Sequence, residues 1–199
     1  MVLFLGLLVL GGCGQDPPAA VVAVRAAGCG AVPADGVGTI VATGRVLTAA
    51  HTVAGAESIT VDGAPAELVE LDPANDLAVL RIGDRLTAPL PSGTATPRRG
   101  TSAGAYVTRA GQVRRIDVTI VRPVVIATTD IYGDARTERP GFELAGPIVP
   151  GDSGAPVVVD GYLVGVVWAR SHVAPGRAYA TAVTAHQPDR TADTTRCAG

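Results

Sequence analysis

Lysine is absent from this chain, and aromatic residues make up only 4% of it, with a single tryptophan. The 16 basic side chains are therefore all arginines, set against 18 acids for a formal net charge of -2. So even a balance leaves no basic footprint for nucleic acid, and no nucleic-acid partner is expected. The lack of lysine beside abundant Ala, Gly, Val and Pro reads as genomic base composition rather than as function. Histidine and cysteine occur only three times each. None of them is grouped at zinc-binding spacing, so neither a metal nor another cofactor is expected. No repeat of solenoid period and no heptad run is present. Long apolar runs are missing too: Met1 to Leu10 is nearly all apolar, but it falls well short of the roughly twenty residues a helix needs to cross a bilayer.

That first stretch runs into Leu10-Gly11-Gly12-Cys13, small residues before a cysteine, which resembles a bacterial lipobox. Residues 1–13 are expected to be a signal peptide, with Cys13 as the candidate for lipidation. The protein is then exported, either as a lipoprotein attached peripherally to the cell membrane or as a secreted chain. A plain secretory signal with an incidental Cys13, or a retained anchor, are the alternatives. No basic segment precedes the apolar stretch unless the true start lies upstream. Residues 14–35, with paired Pro17 and Pro18, read as a tether and entry segment.

Beyond the tether, short apolar runs alternate with Gly, Pro, Asp and Asn, the mark of antiparallel β structure. Strands are predicted over 37–42, 45–48, 58–61, 66–72, 78–82, 102–108, 112–121, 124–129, 142–144, 155–159, 162–168 and 178–182, with little helix. Residues 86–100, rich in Pro, Ser, Thr and Gly, form a natural linker. It divides a first unit of about 36–85 from a second of about 101–185, leaving 186–199 as a C-terminal tail.

The chemistry gathers at Gly151-Asp152-Ser153-Gly154-Ala155-Pro156. Glycines flanking a serine allow the tight backbone that sets a nucleophilic oxygen beside N–H donors, although Gly, Asp and Ser also make ordinary turns. Two upstream segments favour the chemical reading. Val46-Leu47-Thr48-Ala49-Ala50-His51 carries an imidazole at the end of an apolar strand, and Asn75-Asp76-Leu77-Ala78-Val79-Leu80 places a carboxylate at the mouth of another. The order is His, Asp, Ser. His172 and His186 lie in polar, loop-like stretches, and Asp72 is followed by the turn-forming Pro73, so His51 and Asp76 are the candidates. An α/β-hydrolase would need Gly-x-Ser-x-Gly before a helix and a late histidine. Ala155 breaks that motif, and an apolar β-rich segment follows it.

With Gly36-Val37-Gly38-Thr39-Ile40-Val41 and Gly165-Val166-Val167-Trp168-Ala169-Arg170, these segments resemble the trypsin-like serine peptidases over roughly 36 to 185. Within that group the likeness is to compact bacterial envelope proteases of the high-temperature-requirement type and to membrane-tethered actinobacterial relatives. The resemblance implies an all-β fold of two six-stranded antiparallel barrels. His51 and Asp76 would come from the first barrel and Ser153 from the second, with the site in the cleft between them. It also implies a serine endopeptidase acting on proteins or peptides, with the backbone N–H groups of Gly151 and Ser153 as the oxyanion hole. Ala155 departs from the pattern, because such families usually have a second glycine there.

By the same resemblance, the substrate pocket draws on Pro147 and on Trp168, Ala169 and Arg170, the last three on a strand that pairs with extended substrate. Pro147 falls where trypsin-like enzymes specific for Lys or Arg carry an acid, so cleavage after basic residues is disfavoured. Trp168 reads equally as a core residue at a strand end, and Arg170 as a solvated charge. Asp152 stands outside the triad. No basic cleavage site precedes Gly36 to create a new N-terminus for it, so it needs another donor such as an arginine. With Cys13 set aside, an exported chain retains Cys29 and Cys197, and the tethered relatives also have cysteines flanking the domain. A disulfide between them is one reading and two free thiols the other. The alternative at the level of function is a catalytically idle fold that binds envelope partners.

Overall fold

The computed structural model describes residues 19–83, 87–94, 96–189 and 191–199. The signal segment and Cys13 lie outside the described residues. Strands β1 (Val21–Ala27), β2 (Ala34–Ala42), β3 (Arg45–Ala49), β4 (Ser58–Val61), β5 (Ala64–Asp72) and β6 (Leu77–Arg81) close a barrel in the order β1-β2-β3-β6-β5-β4. Strands β7 (Ser102–Arg109), β8 (Gln112–Thr129), β9 (Arg136–Ala145), β10 (Pro156–Val159), β11 (Tyr162–Arg170) and β12 (Arg177–Ala182) close a second in the order β10-β11-β12-β9-β8-β7. Neighbouring strands are antiparallel throughout. The all-β fold of two six-stranded barrels is thus present.

Short aliphatic side chains fill both barrels. Ile40, Leu77 and Leu80 are fully buried in the first, and Ile120, Leu144 and Leu163 in the second. Burying one such side chain is worth about 1.5–3 kcal/mol, so a core nearly free of aromatics is adequate when it is this continuous. The linker crosses between the barrels by pairing with both: Leu90 N–H donates to Ile40 C=O at 2.9 Å, and Gly93 N–H to Leu163 C=O at 2.7 Å.

Four boundaries differ from the sequence reading. The segment 14–35 is not all tether, because β1 lies within it and pairs with both β2 and β4, with Val22 and Val24 in the core. Barrel one therefore starts some fifteen residues before position 36. The predicted strands 112–121 and 124–129 are one strand, β8, running through Pro123. Beyond Thr119, β8 has β9 as its partner but no longer β7, and a proline is tolerated on such an edge. Strand β9 begins at Arg136, six residues before the apolar signal at Phe142, because its first half is a polar hairpin arm that buries Arg139 but no apolar side chain. Finally, residues 186–189 and 191–199 form a strap against the barrels rather than a free tail. Asp189 N–H donates to Leu71 C=O, Gly55 N–H to Thr194 C=O and Gly199 N–H to Ile131 C=O. A disulfide joins Cys29 to Cys197.

Candidate active site

His51 sits on a single helical turn, α1 (Ala50–Val53), directly after β3. The β5–β6 turn ends at Asp76, whose φ of 57° is left-handed, a conformation that Asp tolerates better than most residues. Its carboxylate grips His51 twice. Oδ1 accepts the His51 backbone N–H at 2.8 Å, and Oδ2 lies 2.8 Å from the ring Nδ1. With Nδ1–H held by Asp76, Nε2 is left as an acceptor, and it lies 3.0 Å from Ser153 Oγ. Asp76 is buried while His51 is about one-third exposed, so the imidazole reaches solvent and the carboxylate behind it does not.

Ser153 arrives from the second barrel on the β9–β10 loop, and β2 of the first barrel holds it there: Val37 N–H donates to Ser153 C=O at 2.7 Å. Gly154 must be glycine. Its φ is 84°, and a Cβ would fall 1.9 Å from Val37 O. Gly151 is also left-handed, at φ 92°. Among the described residues, the N–H groups of Gly151 and Ser153 donate to no protein acceptor. Ala155, where a second glycine was expected, is fully buried and keeps both backbone bonds, donating to Asp152 C=O and accepting from Val167 N–H. Its methyl therefore points into the core.

Asp152 is nearly fully buried and finds its arginine in Arg109 at the end of β7. Arg109 Nη2 donates to Asp152 Oδ2 at 2.6 Å and to Pro147 C=O at 3.1 Å, and Val149 N–H donates to the same carboxylate at 2.9 Å. One guanidinium therefore ties both ends of the 147–152 loop.

Burial pushes the His51 pKa down, but the charge and hydrogen bond of Asp76 push it up, and Arg139 opposes Asp76; the net result lies above the ordinary value. The competing candidate Asp72 has a different task. Oδ1 accepts Asn75 N–H at 3.1 Å, and Oδ2 accepts Asn75 Nδ2–H at 2.9 Å and Gln187 N–H at 2.6 Å. It shapes the turn that presents Asp76. His186 lies against it, with Nδ1 3.7 Å from Asp72 Oδ2 and Nε2 3.2 Å from Glu70. Its pKa is lowered by burial but raised more by Asp72 and Glu70.

Pro147 is exposed at the loop's start. Trp168 is half-buried on β11, with its ring covered by Arg139 at 4.3 Å and tilted toward Tyr179 at 6.1 Å. Ala169 and the exposed Arg170 end that strand. Sequence reasoning missed Arg139 and the roles of Asp72 and Arg109. Arg139 lies in a polar run that no periodicity marks.

A fold of two six-stranded barrels with His, Asp and Ser meeting between them defines a class, and the chain belongs to it: residues 36–166 match the trypsin-like peptidase domain, so this is a member of the trypsin-like peptidase family. Among curated proteins it is similar to serine protease Rv3671c of Mycobacterium tuberculosis, 28% identical over 141 residues that cover 67% of this chain and 36% of the relative. The chain thus spans just over a third of that relative's length. The crystal structure of the active form of the Rv3671c protease shares the fold, with TM-score 0.80 at 23% identity over 90% of this chain and 86% of that one. So does the serine endoprotease from Yersinia pestis, with TM-score 0.66 at 24% identity over 84% and 60% of the two chains.

Proposed function

We propose that this protein is a serine endopeptidase with Ser153 as nucleophile, His51 as general base and acid, and Asp76 as the group that holds the imidazole. The observation that carries this reading is the unbroken line from Asp76 Oδ2 through both ring nitrogens of His51 to Ser153 Oγ, at 2.8 and 3.0 Å. Ser153 Oγ attacks a peptide carbonyl as His51 Nε2 takes its proton. The imidazolium then protonates the leaving amine, and water completes the cycle by the same route. The N–H groups of Gly151 and Ser153, which have no acceptor among the described residues, are the donors for the oxyanion.

Pro147 and the Trp168–Arg170 strand form the substrate pocket and its pairing edge. With Pro147 in place of an acid, a lysine or arginine would be buried there without a partner, which is costly. Small and medium apolar residues are therefore preferred before the scissile bond. The protein works outside the cytoplasm, in the cell envelope or beyond it. The Cys29–Cys197 bridge supports that location, and Cys13 is the proposed lipid attachment.

Profiling with a peptide library, using Ser153→Ala as control, tests the reading. Cleavage after Ala, Val or Leu that disappears in the variant is expected. A dominant preference for Arg or Lys refutes the pocket, and wild-type turnover by Ser153→Ala refutes the peptidase.

A further inference from the structure

Resting on the reading of His51, Asp76 and Ser153 as a triad, we propose that Arg139 is a positioning residue of the active site. From the opposite barrel it fixes the turn that carries Asp76 and lays a positive charge beside the carboxylate oxygen that holds His51 Nδ1.

Arg139 projects from β9, and its side chain is only 3% exposed. Its guanidinium crosses to the first barrel, where Nε donates to the Ala74 carbonyl at 3.0 Å, two residues before Asp76. Nη2 turns back to Thr129 C=O at 3.4 Å. Nη1 stands 3.7 Å from Oδ2 of Asp76, the same oxygen that holds His51 Nδ1. Trp168 covers the face of the group, 4.3 Å from ring centroid to guanidinium carbon. A cation buried to this degree is tolerated only when it is paired and hydrogen-bonded.

Two consequences follow for catalysis. The bond to Ala74 pins a turn whose last residue is held in the left-handed region, so it fixes the carboxylate against the imidazole. The charge beside Oδ2 also weakens the field that Asp76 exerts on the ring, so the imidazolium gains less from the carboxylate than it would from Asp76 alone. The charges facing Arg139 are Asp76, Asp72 and Asp130, and those bearing on His51 are Asp76 and Arg139 itself. An ordinary staple between barrels needs only the bond to the Ala74 carbonyl. It does not need a cation on the oxygen that orients the base.

The test uses the full chain and its Arg139→Met and Arg139→Lys variants. Three quantities are measured: the His51 titration by NMR, the pH profile of kcat/KM, and the active-site count from a fluorophosphonate. In Arg139→Met, the His51 titration and the acid limb of the profile should both move to higher pH. The plateau rate should fall roughly 10- to 100-fold, as expected for a loosened catalytic geometry. Arg139→Lys keeps the charge without the fork, so its limb should stay near wild type while part of the rate is lost.

An unmoved His51 titration in folded Arg139→Met overturns the proposal, since a purely structural staple would lower thermal stability and leave the titration in place. Should Arg139→Met not fold, the same shift is required of Arg139→Gln. Failure of both neutral variants to fold counts against the proposal. The NMR titration needs no turnover. A shifted His51 in a protein that cleaves nothing would therefore sink the peptidase reading and spare Arg139, and an active enzyme with an unshifted His51 would do the reverse.

Discussion

Asp76 accepts two N–H groups from His51, one from the backbone and one from the ring. An amide at this position has only one oxygen, so its NH2 must face one of those donors or force the ring into the tautomer that carries its proton on Nε2. Asp76→Asn should therefore keep the fold but lose activity on the order of 10⁴-fold, the size of effect known for loss of this carboxylate in a template protease. Steady-state kinetics beside an unchanged circular dichroism spectrum check this. The base must be neutral to act, and its pKa lies above the ordinary value because Asp76 outweighs burial. Activity should thus rise with pH through a single ionisation above about 6.5, and chelators should leave it unchanged. At this scale the sequence was informative wherever a motif spans a few residues. Ser153, His51 and Asp76 each announce themselves by local setting, and the need of Asp152 for another donor such as an arginine followed from the lack of a basic cleavage site before Gly36. Arg139 was invisible because its partners Ala74 and Asp76 lie more than sixty residues away in a different barrel.

The β5–β6 turn and the C-terminal strap act as one element, because Asp72 binds both Asn75 and Gln187 and lies against His186. Burial raises the Asp72 pKa, but these partners lower it more, so its contribution is lost as pH falls through that depressed value. The His186 contribution has the opposite sign. Its pKa is raised, so its stabilisation is complete below the unfolded value and is lost as pH rises through the folded one. His186→Gln should therefore be destabilised most between about pH 4 and 6.5, with the gap to wild type closing above that window. Thermal melts across pH decide it, and a gap that widened with pH would contradict the assignment. The 147–152 loop gives a second prediction. Arg109→Ala leaves the buried Asp152 with Val149 N–H but no cation, costing about 1–3 kcal/mol, and it frees the loop that carries Gly151. Turnover should fall by more than stability alone explains, as judged by melts and by rates per titrated active site. Elements were legible where a short apolar run is bounded by turn-forming residues, as in β3, β6 and β10. Strand β1 escaped because it follows the paired prolines of an apparent tether, and the first half of β9 because the side chain it buries is the charged Arg139 rather than an apolar one.

At the scale of the whole molecule, two barrels meet so that Val37 of one binds the carbonyl of Ser153 in the other. The linker, the strap and the Cys29–Cys197 bridge restrain the outer side of that arrangement. A bridge across 168 residues restrains the unfolded chain by about 5 kcal/mol in the entropy model. Reduction should therefore lower the melting temperature more than it lowers turnover below that temperature, since neither cysteine touches His51, Asp76 or Ser153. A loss of turnover with no change in melting would contradict this. The two-barrel architecture was legible because its linker is compositionally distinct; the strap was not, because Thr, Asp and Arg residues that pack by backbone bonds look like any solvated tail. If this meeting of barrels makes Ser153 a nucleophile, a fluorophosphonate will label it covalently, and peptide mapping locates the label. Labelling confined to Ser153, rising with pH as His51 loses its proton and abolished in His51→Ala, is the predicted result. An unlabelled Ser153 in the folded, oxidised protein would contradict it.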